Sequence, residues 1–160
     1  MALRRGAGTP SFRPHKDPSE YAAAVIVSMH VATGAAGGAF AGSRLRAAVL
    51  GLVLHGVCDR IPHWDIASPR FEVRSGLALL GALAAARGPF DPAVLGAAAS
   101  SAPDLEHVLP LPKLGGRKLY PTHRVASWHR AGGVPVGVQL FVAGVIVGLL
   151  LRGPKPEPGP

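Results

Sequence analysis

Five of the seven histidines in this chain, with several carboxylates, are confined to three short polar islands in an Ala- and Gly-rich apolar sequence. The first runs His55-Gly-Val-Cys-Asp59-Arg-Ile-Pro-His63-Trp-Asp65, the second Pro103-Asp104-Leu-Glu106-His107, and the third from Thr122-His123-Arg124 to Trp128-His129-Arg130. A sixth, His30, lies in an uncharged run. Imidazole and carboxylate are the donors of Zn, Mn and Fe sites. Burying them in apolar surroundings is costly unless something neutralises them, so the islands point to a divalent metal ion, Zn foremost, with Mn and Fe as alternatives.

Periodicity gives an all-α chain. Residues 21–43 contain no Asp, Glu, Lys or Arg. A second apolar helix is expected from Ala47 to Cys58, stopped near Pro62. A third is expected from Ser75 to Ala86 after a polar connection, and a fourth from Ala93 to Ser101 opened by Pro92. The clearest apolar run spans 131–151. Residues 1–20 read as a flexible basic head and 152–160 as a disordered tail, leaving 21–151 as one domain. Ala39-Phe40-Ala41 resembles a leader cleavage site, but Asp17 and Glu20 precede a run too long for a leader.

Apolar residues make up 48% of the chain and charged residues 16%, against ~25% charged in ordinary soluble domains. Mean hydropathy is positive, and runs near twenty uncharged residues suit a bilayer. The expectation is a small membrane-embedded bundle of three to five apolar helices, multi-pass, with membrane lipid as a partner. The net charge of +8 then reads as juxtamembrane charge that places the head and the loop before the last helix on the cytoplasmic side. No basic stripe marks a nucleic-acid surface, and the single cysteine leaves no intramolecular disulfide and no Cys-based zinc motif.

His55 and Asp59 are four apart and share a helix face; Asp104 and His107 are three apart and do so if helical. Candidate metal ligands are His30, His55, Asp59, His63, Asp65, Asp104, His107, His123 and His129. Alternatives stand beside them: an interfacial polar cap for His63 and Asp65, helix capping for Asp104, and a core hydrogen-bonding role for His30. Glu106 is either a general base or a solvated acid. Arg124 and Arg130 can hold an anionic substrate bidentately, or simply snorkel. One ion or a close pair would remove the cost of the buried carboxylates and supply an activated water.

The order His30, His55-x3-Asp59 with Pro-His63-x-Asp65, Pro-Asp104-x-x-His107 and Thr-His123-Arg124 resembles the bacterial inner-membrane metal-dependent hydrolases of the LexA-binding type. It is more distantly similar to the zinc-dependent phospholipase C and single-strand nuclease superfamily. The resemblance covers scattered motifs over residues 28–130 and implies a metal-dependent hydrolase acting on a phosphoester in the inner membrane. The membrane family's early Thr-His-Arg and Thr-His-Ser elements are not matched: here Thr122-His123-Arg124 comes late and Val125 follows. The rival expectations are a non-catalytic membrane metal-binding or metal-transport protein, and a haem protein ligated by His30 and His55.

Overall fold

A computed structural model describes residues 26–64, 66, 68–109, 115, 118–124 and 132–153. Helices account for most of them. Residues Val27–Phe40 form α1, Arg44–Cys58 α2, Pro69–Arg87 α3, Pro92–Ser101 α4, Leu105–Val108 α5 and Val136–Arg152 α6. Single 3-10 turns lie at Ala102–Asp104 and Thr122–Arg124.

Local chemistry sets the helix starts. The Ser43 side chain accepts from the Arg46 N–H and begins α2 three residues before the expected Ala47. Ser68 caps α3 through the Phe71 N–H, and Pro69 occupies its first turn. The expected polar connection of residues 66–74 is therefore mostly helical, because a good cap and Glu72 in the first turn outweigh its polarity. The Asp91 carboxylate accepts from Ala93 N–H at 2.8 Å to open α4. Gly88 and Gly42 take positive φ, 94° and 70°, at the ends of α3 and α1.

The central helix is α1, which packs against α2, α3, α4 and α6. Val31, Ala32 and Ala35 of α1 form the core with Leu83 of α3, Ala93, Val94 and Ala97 of α4, and Ala143 and Val147 of α6. Three helices meet at glycine. A Cβ on Gly96 of α4 would lie 2.3 Å from the Gly34 carbonyl oxygen of α1. A Cβ on Gly51 of α2 would lie 2.3 Å from the Gly96 oxygen. Only hydrogen at these positions permits so close an approach. One helical turn away stand His30 of α1, His55 of α2 and Ser100 of α4, so the glycine contact fixes how near their side chains come. The stretch after α2 pairs with the one before α6: Trp64 N–H donates to Val134 O at 3.0 Å and Val134 N–H to Pro62 O at 3.0 Å.

The all-α expectation agrees with this architecture, but the membrane-embedded part is corrected. Among the described residues no helix is long and apolar enough to cross a membrane. The helix α1 has 14 residues and α6 has 17, whereas a span needs about 20 at 1.5 Å rise each. The 19-residue α3 carries Arg70, Glu72, Arg74 and Arg87. The multi-pass inner-membrane localisation and the transmembrane helices expected from composition are overturned on the same ground. The apolar run 21–43 breaks at Ala41–Ser43 and the run 131–151 begins its helix only after Pro135. Residues 1–20, most of the expected tail, and the start of the first run lie outside the described residues.

Candidate metal centre

Four separate segments bring donors to one end of the bundle. His30 stands in α1 and is fully buried. His55 and Asp59 come from the end of α2, where the Asp59 N–H still donates to His55 O at 3.0 Å and extends the helical register. Both side chains are fully buried. Asp104 follows α4 in the turn Ala102–Asp104, and His123 sits in the turn Thr122–Arg124.

The distances define one cluster. His30 Nε2 lies 3.3 Å from Asp59 Oδ1 and 3.7 Å from Asp104 Oδ2. His55 Nε2 lies 3.2 Å from Asp59 Oδ2. His123 Nε2 lies 3.8 Å from both Asp59 Oδ2 and Asp104 Oδ1. Two sets of three donors have all their atoms within 4.8 Å of one another, His30/His55/Asp104 and His55/Asp59/His123. These His/Asp groups can coordinate a metal ion.

The rings are aimed by their other nitrogens. His55 Nδ1 lies 2.8 Å from the Ser100 carbonyl oxygen, which can only accept, so Nδ1 carries the proton. His123 Nδ1 pairs with Glu106 Oε1. Glu106 Oε2 accepts from the N–H of Leu119 at 2.7 Å and of Tyr120 at 3.3 Å. In the neutral rings both Nε2 lone pairs therefore point inward, and they face each other at 3.3 Å. Two lone pairs cannot hydrogen-bond to each other. About 3.3 Å is also the edge of a tetrahedron with Zn–N bonds near 2.0–2.1 Å. The carboxylate–imidazole arrangement on His123 and the carbonyl–imidazole arrangement on His55 are the usual outer supports of metal-bound histidine.

Burial opposes charge on His30, yet Asp104 and Asp59 overcome it and push its pKa up to about 10. Burial pushes the Asp104 carboxyl up, against the pull of His30, His55 and His123. Both Asp104 oxygens are buried without a hydrogen-bond donor. Burial lowers the His123 imidazole, with Glu106 opposing, which favours the neutral ring with its lone pair on Nε2. Burial works against charge on Glu106, but His123 and the two backbone N–H groups outweigh it and hold the carboxyl below its ordinary value. The Tyr120 ring closes the cluster, 5.9 Å from His55 and 6.0 Å from His123 between centroids.

The remaining candidate residues are placed differently. His63 is buried, but its Nδ1 pairs with the Ile61 carbonyl, and the ring lines a cavity of about 110 Å³ with Met29, Cys58 and Gln139. It belongs to neither donor set. The Arg124 guanidinium is taken up by the carbonyls of Lys118, at 2.6 Å, and Leu119, at 3.0 Å. Asp65, His129, Arg130 and the His107 side chain lie outside what is described. No model of a known family, no curated protein and no solved structure matches the chain. The site must be read from its own chemistry. Two contributors were not singled out from the sequence: the Ser100 carbonyl, which no side-chain motif can announce, and Tyr120, whose only signal is its place three residues before His123.

Proposed function

We propose that the chain binds a divalent transition-metal ion, Zn foremost, and uses it to hydrolyse a phosphoester. The supporting observation is the pair of inward lone pairs on His55 and His123, each enforced by an acceptor behind the ring. His55, Asp59 and His123 would hold the ion, with His30 and Asp104 completing the donor set. With only His55, Asp59 and His123 on the ion, a fourth position is left for water, as in hydrolytic zinc sites. A bound divalent ion lowers the pKa of its water toward neutrality and draws charge from a phosphoryl oxygen.

The chain's own residues do the rest. Glu106 holds the His123 tautomer; with both oxygens engaged it is a positioning residue for the ion and not a general base. Ser100 does the same for His55. Tyr120 shields the donors from bulk water, which strengthens electrostatic attraction inside.

The alternative is a non-catalytic metal-binding centre, and the full burial of His30, His55 and Asp59 favours it. A transport path calls for donors spread along the molecule, whereas His30 joins the same cluster. A haem between His30 and His55 has no space, because the two rings meet at a tilt of 31° with centroids 4.2 Å apart.

The test is hydrolysis of bis-p-nitrophenyl phosphate and p-nitrophenyl phosphate by chelator-stripped protein before and after addition of Zn, Mn or Fe(II). Metal-restored turnover that is lost in His55→Ala supports the hydrolase. Stoichiometric metal with no turnover on either ester supports the non-catalytic centre.

A further inference from the structure

The two carboxylates of the cluster are arranged alike. Asp59 directs Oδ1 to His30, at 3.3 Å, and Oδ2 to His55, at 3.2 Å, and His123, at 3.8 Å. Asp104 directs Oδ2 to His30, at 3.7 Å, and Oδ1 to His123, at 3.8 Å. Each carboxylate thus has one oxygen at a His30 end and the other at a His123 end. His30 Nε2 stands at one end beside Asp59 Oδ1 and Asp104 Oδ2, and His123 Nε2 at the other beside Asp59 Oδ2 and Asp104 Oδ1; His55 Nε2 lies beside Asp59 Oδ2 and belongs to both donor groups. An ion held by one oxygen of Asp104 would leave the other buried without a hydrogen-bond donor. Two-ion sites hold their cations about 3.5–4 Å apart, a span that a carboxylate bridges with one oxygen on each.

We propose that the centre holds two divalent cations bridged by Asp59 and Asp104, one at the His30 end and one at the His55/His123 end. The proposal rests on the metal-binding reading above and deepens it. Three neutral imidazoles and two carboxylates leave two divalent ions with excess positive charge. That excess selects an anionic bridging ligand, and a tetrahedral phosphoryl group with oxygens for both ions fits it. The stronger donor set, with two imidazoles, is at the His55/His123 end, so that end fills first.

The experiment is titration of chelator-stripped full-length chain with Mn(II), read by equilibrium dialysis and by electron paramagnetic resonance, with His30→Ala and Asp104→Asn alongside. Two equivalents per chain with an exchange-coupled spectrum are expected. His30→Ala should bind one equivalent with an uncoupled spectrum, and Asp104→Asn, nearly isosteric, should lose coupling. One equivalent in the unaltered chain, or two without coupling, overturns the pair while leaving a single-ion centre intact. No binding of Mn(II) or of Zn by the unaltered chain overturns both this proposal and the reading on which it rests. The unaltered chain decides the matter even if either variant fails to fold.

Discussion

His55 and His123 face each other through Nε2 at 3.3 Å, although 68 residues separate them. Each ring is turned by an acceptor on Nδ1, the Ser100 carbonyl for one and the Glu106 carboxylate for the other. Such a pair is stable when a cation lies between.

Glu106→Gln removes the charge behind His123 while keeping an oxygen for the Leu119 and Tyr120 N–H groups. Removal of an outer carboxylate of this kind costs about 10–100-fold in metal affinity. Competition titration with a chromophoric chelator should show that loss, with the circular dichroism of the metal-free protein unchanged.

The metal-free protein should lose stability on the alkaline side. His30, pushed up to about 10, keeps a proton in the folded state that it lacks above 6.5 when unfolded. Its contribution is complete below pH 6.5 and is lost as pH rises through about 10. Asp104, raised by burial, acts in the same direction through its own titration. Thermal unfolding in chelator should show Tm falling from neutral pH toward pH 10. Metal displaces the His30 proton, so affinity for Zn should rise over the same window.

Gly96→Ala tests the glycine contact. Its Cβ would meet backbone atoms of Gly34 and Gly38 at 2.3 and 2.9 Å, and backbone cannot step aside as a side-chain tip can. Overpacking of this sort costs about 1–3 kcal/mol, and metal affinity should fall with it because His30, His55 and Ser100 are set one turn away. Gly144→Ala in α6 is the control. Nothing lies within 4 Å of its Cβ, and the helix should gain about 0.5–1 kcal/mol. Chemical denaturation of both variants, with metal content of each, separates the two outcomes.

His63→Ala should leave the metal content unchanged. The residue bonds to Ile61 and lines the cavity beside Gln139, so its loss should appear as about 1–3 kcal/mol of stability. Loss of metal without loss of stability would place His63 in the centre instead.

Helix starts were partly legible in the sequence because caps and prolines act locally. Pro92 opened α4 where expected, while Ser68–Pro69 carried α3 through a polar stretch that apolar periodicity passes over. The membrane reading failed because composition counts apolar residues without measuring helix length, and Ala41–Ser43 and Pro135 cut the long runs short. Same-face spacing was enough to pair His55 with Asp59, since one helix carries both. It could not weigh His30 against His63. That choice depends on the Gly34–Gly96 approach, which draws α1 onto the cluster, and on the Ile61 carbonyl, which holds His63 elsewhere. Nor could it separate a base from an orienting group at Glu106, because the partners that decide it, Leu119, Tyr120 and His123, are brought there only by the fold.

X-ray absorption at the zinc edge on Zn-loaded full-length protein tests the central claim most directly. The account predicts nitrogen and oxygen scatterers at about 2.0–2.1 Å with outer-shell imidazole features, reduced in His55→Ala and His123→Ala. A zinc bound only by light atoms without imidazole, or an imidazole signal unchanged in both variants, would contradict it.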